Sequence, residues 1–120
     1  MKKKILIIDD EPFLLKTLRD RLIIEGFEVI TASDGESGMA LIRSEHPDCV
    51  ILDVMLPDVS GHQLCRLIKT DLTITAKIIM VTSKIDPADR EISQQVGADA
   101  FNIKTTDHQA IISRVKEILN

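Results

Sequence analysis

Five short runs, Ile5 to Ile8, Glu28 to Ala32, Cys49 to Leu52, Lys77 to Val81 and Ala100 to Ile103, are largely apolar or β-branched, with little of the alternation of a half-exposed strand. Such runs are buried on both faces, which is the environment of a parallel sheet between two helical layers. The segments between them carry helical spacing. Phe13, Leu14, Leu18, Leu22 and Ile23 predict a first helix, opened by Pro12 and closed by Gly26. Ser37 to Ser44, after an Asp34-Gly35 turn signal, predicts a second around Met39, Leu41 and Ile42. Gly61 to Lys69 predicts a third, with Leu64, Cys65, Leu67 and Ile68 on one side. Pro87 to Val96 predicts a fourth with Asp86 as N-cap and a thin apolar face, and Thr106 to Leu119 a fifth around Ile111, Ile112, Val115, Ile118 and Leu119. Strands alternating with helices throughout give a doubly wound α/β fold on a five-stranded parallel sheet.

The 120 residues suit one domain, and no repeat, low-complexity tract or Ser/Gly-rich linker divides them. No apolar run approaches the roughly 18 residues of a membrane span, and the four apolar residues after Lys4 are too few for a signal-peptide core. These features predict a cytoplasmic protein that does not engage a membrane. A net charge of −4 argues against a phosphate-neutralising face, so direct nucleic-acid binding by this domain is not expected. Lys2 to Lys4 read as a solvated terminus protecting a sheet edge. Cys49 and Cys65 lack CxxC spacing and read as small buried thiols, while His46, His62 and His108 are scattered without metal-ligand spacing.

In an open parallel sheet every strand ends at the same edge, and ligands bind in the crevice outside those ends. Here the first strand runs into Asp9-Asp10, the third into Asp53, the fourth into Thr82-Ser83 and the fifth into Lys104. Each taken alone reads as an ordinary strand-ending polar residue. Together they bring three carboxylates, a hydroxyl and an ammonium to one crevice, and crowded carboxylates raise one another's pKa unless a cation sits among them. A few all-oxygen ligands suit Mg²⁺, which keeps several waters and is completed by phosphate oxygens. A metal, a lysine and a hydroxyl together suit phosphoryl chemistry. The chain has neither GxxxxGK[ST] nor GxGxxG, so no nucleotide cradle is present and the nucleophile must be in the protein. Asp53, on the central strand, is the carboxylate placed to form an aspartyl phosphate.

The runs Ile5-Leu6-Ile7-Ile8-Asp9-Asp10-Glu11-Pro12, Asp48-Cys49-Val50-Ile51-Leu52-Asp53-Val54-Met55-Leu56-Pro57-Asp58-Val59-Ser60-Gly61, Ile79-Met80-Val81-Thr82-Ser83 and Gly97-Ala98-Asp99-Ala100-Phe101, in this order, resemble the receiver domains of two-component response regulators, over essentially the whole chain. The resemblance implies one receiver domain over residues 1–120, flavodoxin-like, with strand order 2-1-3-4-5. It implies that Asp53 accepts a phosphoryl group from a histidine kinase or phosphotransfer protein, with Asp10, Asp53 and the Met55 backbone carbonyl as direct Mg²⁺ ligands and Asp9 acting through water. Thr82 would be the switch hydroxyl, Phe101 the aromatic that swings behind it, and Lys104 the ammonium paired with the phosphoryl oxygens. The surface of helix four, strand five and helix five would then change partners, with a homodimer on phosphorylation as one outcome. Such a domain catalyses only its own phosphorylation and dephosphorylation and is not a turnover enzyme.

Where this family usually has proline after the lysine, in a cis peptide, this chain has Thr105. A cis bond before a non-proline residue costs about 3 to 4 kcal/mol, so a trans Lys104-Thr105 bond and a remodelled loop are expected. Met55 and Lys84 flank the crevice, and a bulky Met55 is expected to hinder water approaching an acyl phosphate or merely to shield the site. Two other classes stay open: a Mg²⁺-dependent phosphatase or phosphotransferase with an aspartyl intermediate, which the short loops disfavour, and an interaction domain of receiver shape that no longer takes phosphate. The chain is expected to be either a free-standing regulator or the N-terminal part of a longer one.

Overall fold

The computed structural model describes residues 2–84 and 86–120. Strands β1 (Lys4–Ile8), β2 (Glu28–Ala32), β3 (Cys49–Asp53), β4 (Lys77–Thr82) and β5 (Ala100–Ile103) alternate with helices α1 (Pro12–Ile24), α2 (Gly35–Glu45), α3 (Gly61–Thr70), α4 (Pro87–Gln95) and α5 (Gln109–Leu119). All strand pairs are parallel, and the sheet order is β2-β1-β3-β4-β5. The expected doubly wound, flavodoxin-like fold is therefore the fold observed. Register sets β1 against β3 as Ile5 with Cys49 through Ile8 with Leu52, and β3 against β4 as Cys49 with Lys77 through Asp53 with Val81.

Because side chains alternate across a strand, each apolar run feeds two cores. Leu6, Ile8, Val50, Leu52, Ile78 and Met80 pack with Ile42 of α2 and with Leu64, Cys65 and Ile68 of α3. Ile5, Ile7, Cys49, Ile51, Ile79 and Val81 pack on the other face with Leu14, Leu18 and Leu22 of α1 and Ile111, Ile112 and Val115 of α5. Removing each such isoleucine or leucine from water contributes about 1.5 to 3 kcal/mol, which is why this pattern dominates the fold. Cys49 and Cys65 are buried and free on opposite faces, as expected, and burial pushes their thiols up to about 12 and about 11. Burial and a raised pKa keep both as thiols rather than thiolates at neutral pH.

Several details differ from expectation. The α1 stripe is narrow, with Leu14, Leu18 and Leu22 buried but Phe13 74% and Ile23 48% exposed, because successive helical residues point about 100° apart. Leu67 is likewise outward, at 58% exposure, although it adjoins buried Ile68. Helix α2 starts at Gly35 because the Asp34 carboxylate caps it, accepting from Ser37 N at 2.8 Å. Helix α5 starts at Gln109 rather than Thr106, since His108 takes a left-handed conformation before it. Asp86 caps α4 as expected, and within that helix only Ser93 is buried. Lys4 protects no edge: β1 lies inside the sheet, and the Lys4 ammonium meets Glu45 at 3.1 Å. No helix among the described residues is long and apolar enough to cross a membrane.

Candidate functional site

The C-terminal ends of β1, β3, β4 and β5 meet at one edge and carry the polar residues expected there. Asp9 follows β1 and is 1% exposed, Asp53 ends β3 at 6%, Thr82 ends β4 at 3%, and Lys104 follows β5. Backbone bonds fix each of them. Asp9 N donates to Ala32 O at 3.1 Å, Val54 N to Val81 O at 3.0 Å, and Lys104 N to Thr82 O at 2.8 Å. Side-chain geometry is as constrained: Asp9 Oδ1 accepts from Glu11 N at 2.9 Å and Asp53 Oδ1 from Met55 N at 3.2 Å, while Lys84 N donates to Thr82 Oγ1 at 3.3 Å.

Lys104 Nζ lies between two carboxylates, 2.5 Å from Asp9 Oδ2 and 3.1 Å from Asp53 Oδ2. The Asp9 contact is one of charge rather than of hydrogen-bond direction, since Asp9 Oδ2 has no well-aligned donor. Burial alone would lower the Lys104 ammonium, but Asp9 and Asp53 outweigh it and hold its pKa above the ordinary value. Asp53 is raised, first by burial and then by the charge of Asp9; Lys104 and the Met55 N–H offset only part of this. One carboxylate oxygen each from Asp9, Asp10 and Asp53 fall within 4.8 Å of one another. Three carboxylates against one ammonium leave negative charge uncompensated, and the donors are all oxygen. The set therefore fits a hard divalent cation, with Asp9, Asp10 and Asp53 as the residues that could hold it.

An Asp53→Asn chain is expected to be more stable than the parent in metal-free buffer at neutral pH. A carboxyl whose folded pKa is raised above its unfolded value destabilises the fold once ionised. The gain from the neutral amide is therefore present at neutral pH and vanishes as pH falls through the folded pKa toward the ordinary carboxyl range. A rise in Tm of ~4 °C corresponds to about 1 kcal/mol in a domain of this size. A lower Tm for Asp53→Asn by calorimetry at neutral pH would contradict this reading of the pocket.

The structure gathers Asp9, Asp10 and Asp53 close together, sets Lys104 against Asp9 and Asp53, and places the buried Thr82 at the end of the neighbouring strand β4. Phe101 stands apart: it is 9% exposed in the core beneath α4, with the Arg90 guanidinium 5.2 Å from its ring centroid. Met55 is 61% exposed, two residues after Asp53, and begins a loop closed by its bridge to Ser60. No cis peptide occurs among the described residues, so the Lys104-Thr105 bond is trans as expected, and the segment delivers Lys104 to the carboxylates. Two contributors were not foreseen. Asp58 accepts from Gly35 N at 2.8 Å and Glu36 N at 2.9 Å, tying the loop after Asp53 to the α2 N-terminus. His108 bonds Thr17 of α1. A Pro-Asp pair hints at a turn, but nothing near His108 in the sequence announces its partner.

Known proteins match this arrangement closely. The family model described as response regulator receiver domain matches residues 5–116. A probable transcriptional regulator, ycf27, of Guillardia theta is 40% identical over 118 residues, covering 98% of this chain and 46% of that protein. The chain thus spans about half the length of the curated relatives it matches. The receiver domain protein (CheY-like) from Methanospirillum hungatei superposes with TM-score 0.90 at 32% identity, covering 99% of this chain and 94% of that one. The response regulator TrrA from Thermotoga maritima, solved in complex with Mg²⁺-BeF, does so with TM-score 0.86 at 32% identity, covering 97% and 98%. The family model covers most of the chain, and the chain belongs to the response regulator receiver domain family.

Proposed function

We propose that residues 1–120 form one receiver domain that accepts a phosphoryl group on Asp53 from the phosphohistidine of a histidine kinase or phosphotransfer protein, in the cytoplasm. The observation that carries this reading is the buried Asp53 carboxylate at the end of the central strand, in contact with Lys104 and close to Asp9 and Asp10. An Asp53 oxygen attacks phosphorus, the P–N bond breaks, and the donor imidazole leaves with that electron pair. Lys104 neutralises charge on the phosphoryl oxygens, and Thr82 supplies a hydroxyl to them. Mg²⁺, held by Asp10, Asp53 and the Met55 carbonyl with Asp9 behind a water, would supply further charge neutralisation. Only the domain's own phosphorylation and dephosphorylation is catalysed.

The output is a change of surface. New charge at Asp53 would draw Thr82 inward, Phe101 would follow behind it, and the α4, β5 and α5 surface would present itself differently to a partner or to a second copy of the chain. Nucleic acid and membranes are not partners of this domain itself. The interaction-only alternative needs Lys104 displaced, and its contacts with Asp9 and Asp53 disfavour that. The phosphatase alternative needs a substrate cap, and the loops around this crevice are short.

The test is intact-mass spectrometry after incubation with acetyl phosphate and Mg²⁺. One added phosphoryl group, lost in Asp53→Ala and without Mg²⁺, supports the reading; no gain, under conditions that modify another receiver, moves the chain to the interaction-only class. A second expectation concerns lifetime: Met55→Asn is expected to hydrolyse its acyl phosphate faster, about 10-fold, because a small polar side chain two residues after Asp53 can orient the attacking water. An unchanged decay rate would assign Met55 to shielding alone.

A further inference from the structure

The segment between β5 and α5 carries Lys104, and its far end is the unusual part. His108 is a non-glycine residue at φ 57°, 6% exposed, and it precedes α5 without capping it. A left-handed conformation costs roughly 1 to 2 kcal/mol for such a residue, and burying an imidazole adds desolvation, so something specific must hold it there. His108 Nε2 lies 2.7 Å from Thr17 Oγ1 on α1. The Thr17 hydroxyl hydrogen is engaged by Phe13 O at 2.9 Å, so Nε2–H donates and the threonine oxygen accepts. That leaves Nδ1 bare of hydrogen, and it is buried without a hydrogen-bond partner among the described residues. Arg21 of α1 also donates to the Asp107 carbonyl, so α1 grips the segment at two successive residues.

We propose that His108, in its neutral form, is a positioning residue for Lys104: its bond to Thr17 ties the Lys104 segment to α1 and holds the ammonium against Asp9 and Asp53. Lys104 N stays on Thr82 O at 2.8 Å, and only Thr105, Thr106 and Asp107 separate it from His108 on Thr17, so releasing His108 loosens the stretch that orients the Lys104 side chain. The tie is sensitive to acid. A second proton must enter at Nδ1. Arg21 and Glu11 face the ring from the α1 side, Asp107 from its own segment, and Lys104 shares with it a cavity of about 230 Å³ lined also by Phe13 and Ser83. Burial, then Arg21, lower the imidazole's pKa, and Asp107 and Glu11 oppose them only in part. A depressed value means that the buried position disfavours the imidazolium. Nε2–H still donates to Thr17, but the charge and the new Nδ1–H are buried without an acceptor among the described residues, so the attachment weakens as pH falls through the folded pKa.

The consequence for phosphoryl uptake rests on Asp53 being the acceptor, so the test has a readout that does not. Two variants serve: His108→Asn, which tolerates the left-handed backbone but cannot titrate in this range, and Thr17→Val, which removes the hydroxyl at constant shape. NMR of the whole chain without phosphodonor follows the Lys104 side-chain methylene signals and the His108 ring across pH. In the parent, the Lys104 signals are expected to change with the His108 midpoint and to become those of a mobile lysine in acid. In both variants they are expected to be mobile at neutral pH. Uptake from acetyl phosphate with Mg²⁺ is then about 10-fold slower at neutral pH in both, and the acid limb with the histidine midpoint is gone from His108→Asn. Parent-like Lys104 signals and uptake in both variants would overturn the proposal. A parent whose Lys104 signals track His108 but which takes up no phosphoryl group would support the positioning role and remove the acceptor reading instead.

Discussion

Gly61→Ala is expected to lower Tm by about 10 °C, the shift that about 3 kcal/mol produces in a domain of this size. Gly61 opens α3 immediately after its cap Ser60, and its amide donates to Val54 O at 2.8 Å. This draws the helix terminus onto the backbone that follows Asp53. A Cβ at Gly61 would overlap the Asp53 carbonyl oxygen and stand 2.9 Å from both Asp53 C and Val54 Cα. All three obstacles are main chain and cannot swing aside, so either α3 or the end of β3 must move. Gly38 makes a useful contrast, because there the nearest atoms belong to the Ile8 side chain, which can rotate. Gly38→Ala is accordingly expected to cost less. Thermal unfolding of the two variants beside the parent decides the point, and a Gly61→Ala chain that melts with the parent would mean that the β3–α3 junction has slack the structure does not suggest. Because the displaced backbone is that of Asp53 itself, the same substitution is expected to slow phosphoryl uptake.

Gly61 also marks where reading the sequence stops. Its place in the Pro57-Asp58-Val59-Ser60-Gly61 run is visible, but the reason it must be glycine is a contact with a strand, which only the fold reveals. The strands themselves were legible to within one residue: the inner strands β1, β3 and β4 are buried along most of their length and apolar there, whereas the edge strands β2 and β5, expected to be buried on both faces, are only partly so and carry Glu28, Thr31 and Asn102. The crevice was legible for a related reason: a parallel sheet sends all its C-terminal strand ends to one edge, so polar residues at the ends of those runs had to meet. Helix starts were less so, since caps are set by one side chain or one dihedral angle, as with Asp34 before α2 and His108 before α5. Partners distant in sequence left no local trace. Thr17 and His108 are 91 residues apart, and Asp58 and Gly35 are 23 apart. Facing was misjudged where apolar residues adjoin, as at Phe13 and Leu67, which periodicity alone assigns to the inside.

Lys104→Ala is expected to lose phosphoryl uptake by about 10²- to 10³-fold, the usual cost of removing one preorganised charge-stabilising donor. It is also expected to be destabilised by about 3 kcal/mol at neutral pH, because deleting one partner of a buried ion cluster strands the charges that remain. The Lys104 side chain is 11% exposed, and the two carboxylates it separates, Asp9 and Asp53, are 1% and 9% exposed at their side chains. Asp53 is raised even with the ammonium present, and without it the pull of Lys104 that now offsets burial and Asp9 disappears. Its folded pKa rises further, so the added instability is absent in acid, where the carboxyl is protonated in both states, and appears as pH climbs through the folded value. Two rescues distinguish this from a simple packing loss. A divalent cation should restore much of the variant's Tm, because it replaces the missing positive charge, and it should do so without restoring uptake to the parent's rate, since the phosphoryl oxygens still lack their ammonium. Lys104→Arg should hold the fold at neutral pH but react slowly, because the planar guanidinium cannot take the compact position of an ammonium between Asp9 and Asp53. Melting curves with and without Mg²⁺, read beside uptake by intact mass, separate the two roles. If the alanine variant melted with the parent at neutral pH and took up phosphate at the parent's rate, Lys104 would be a bystander, and the charge balance of the crevice would have to come from the cation alone.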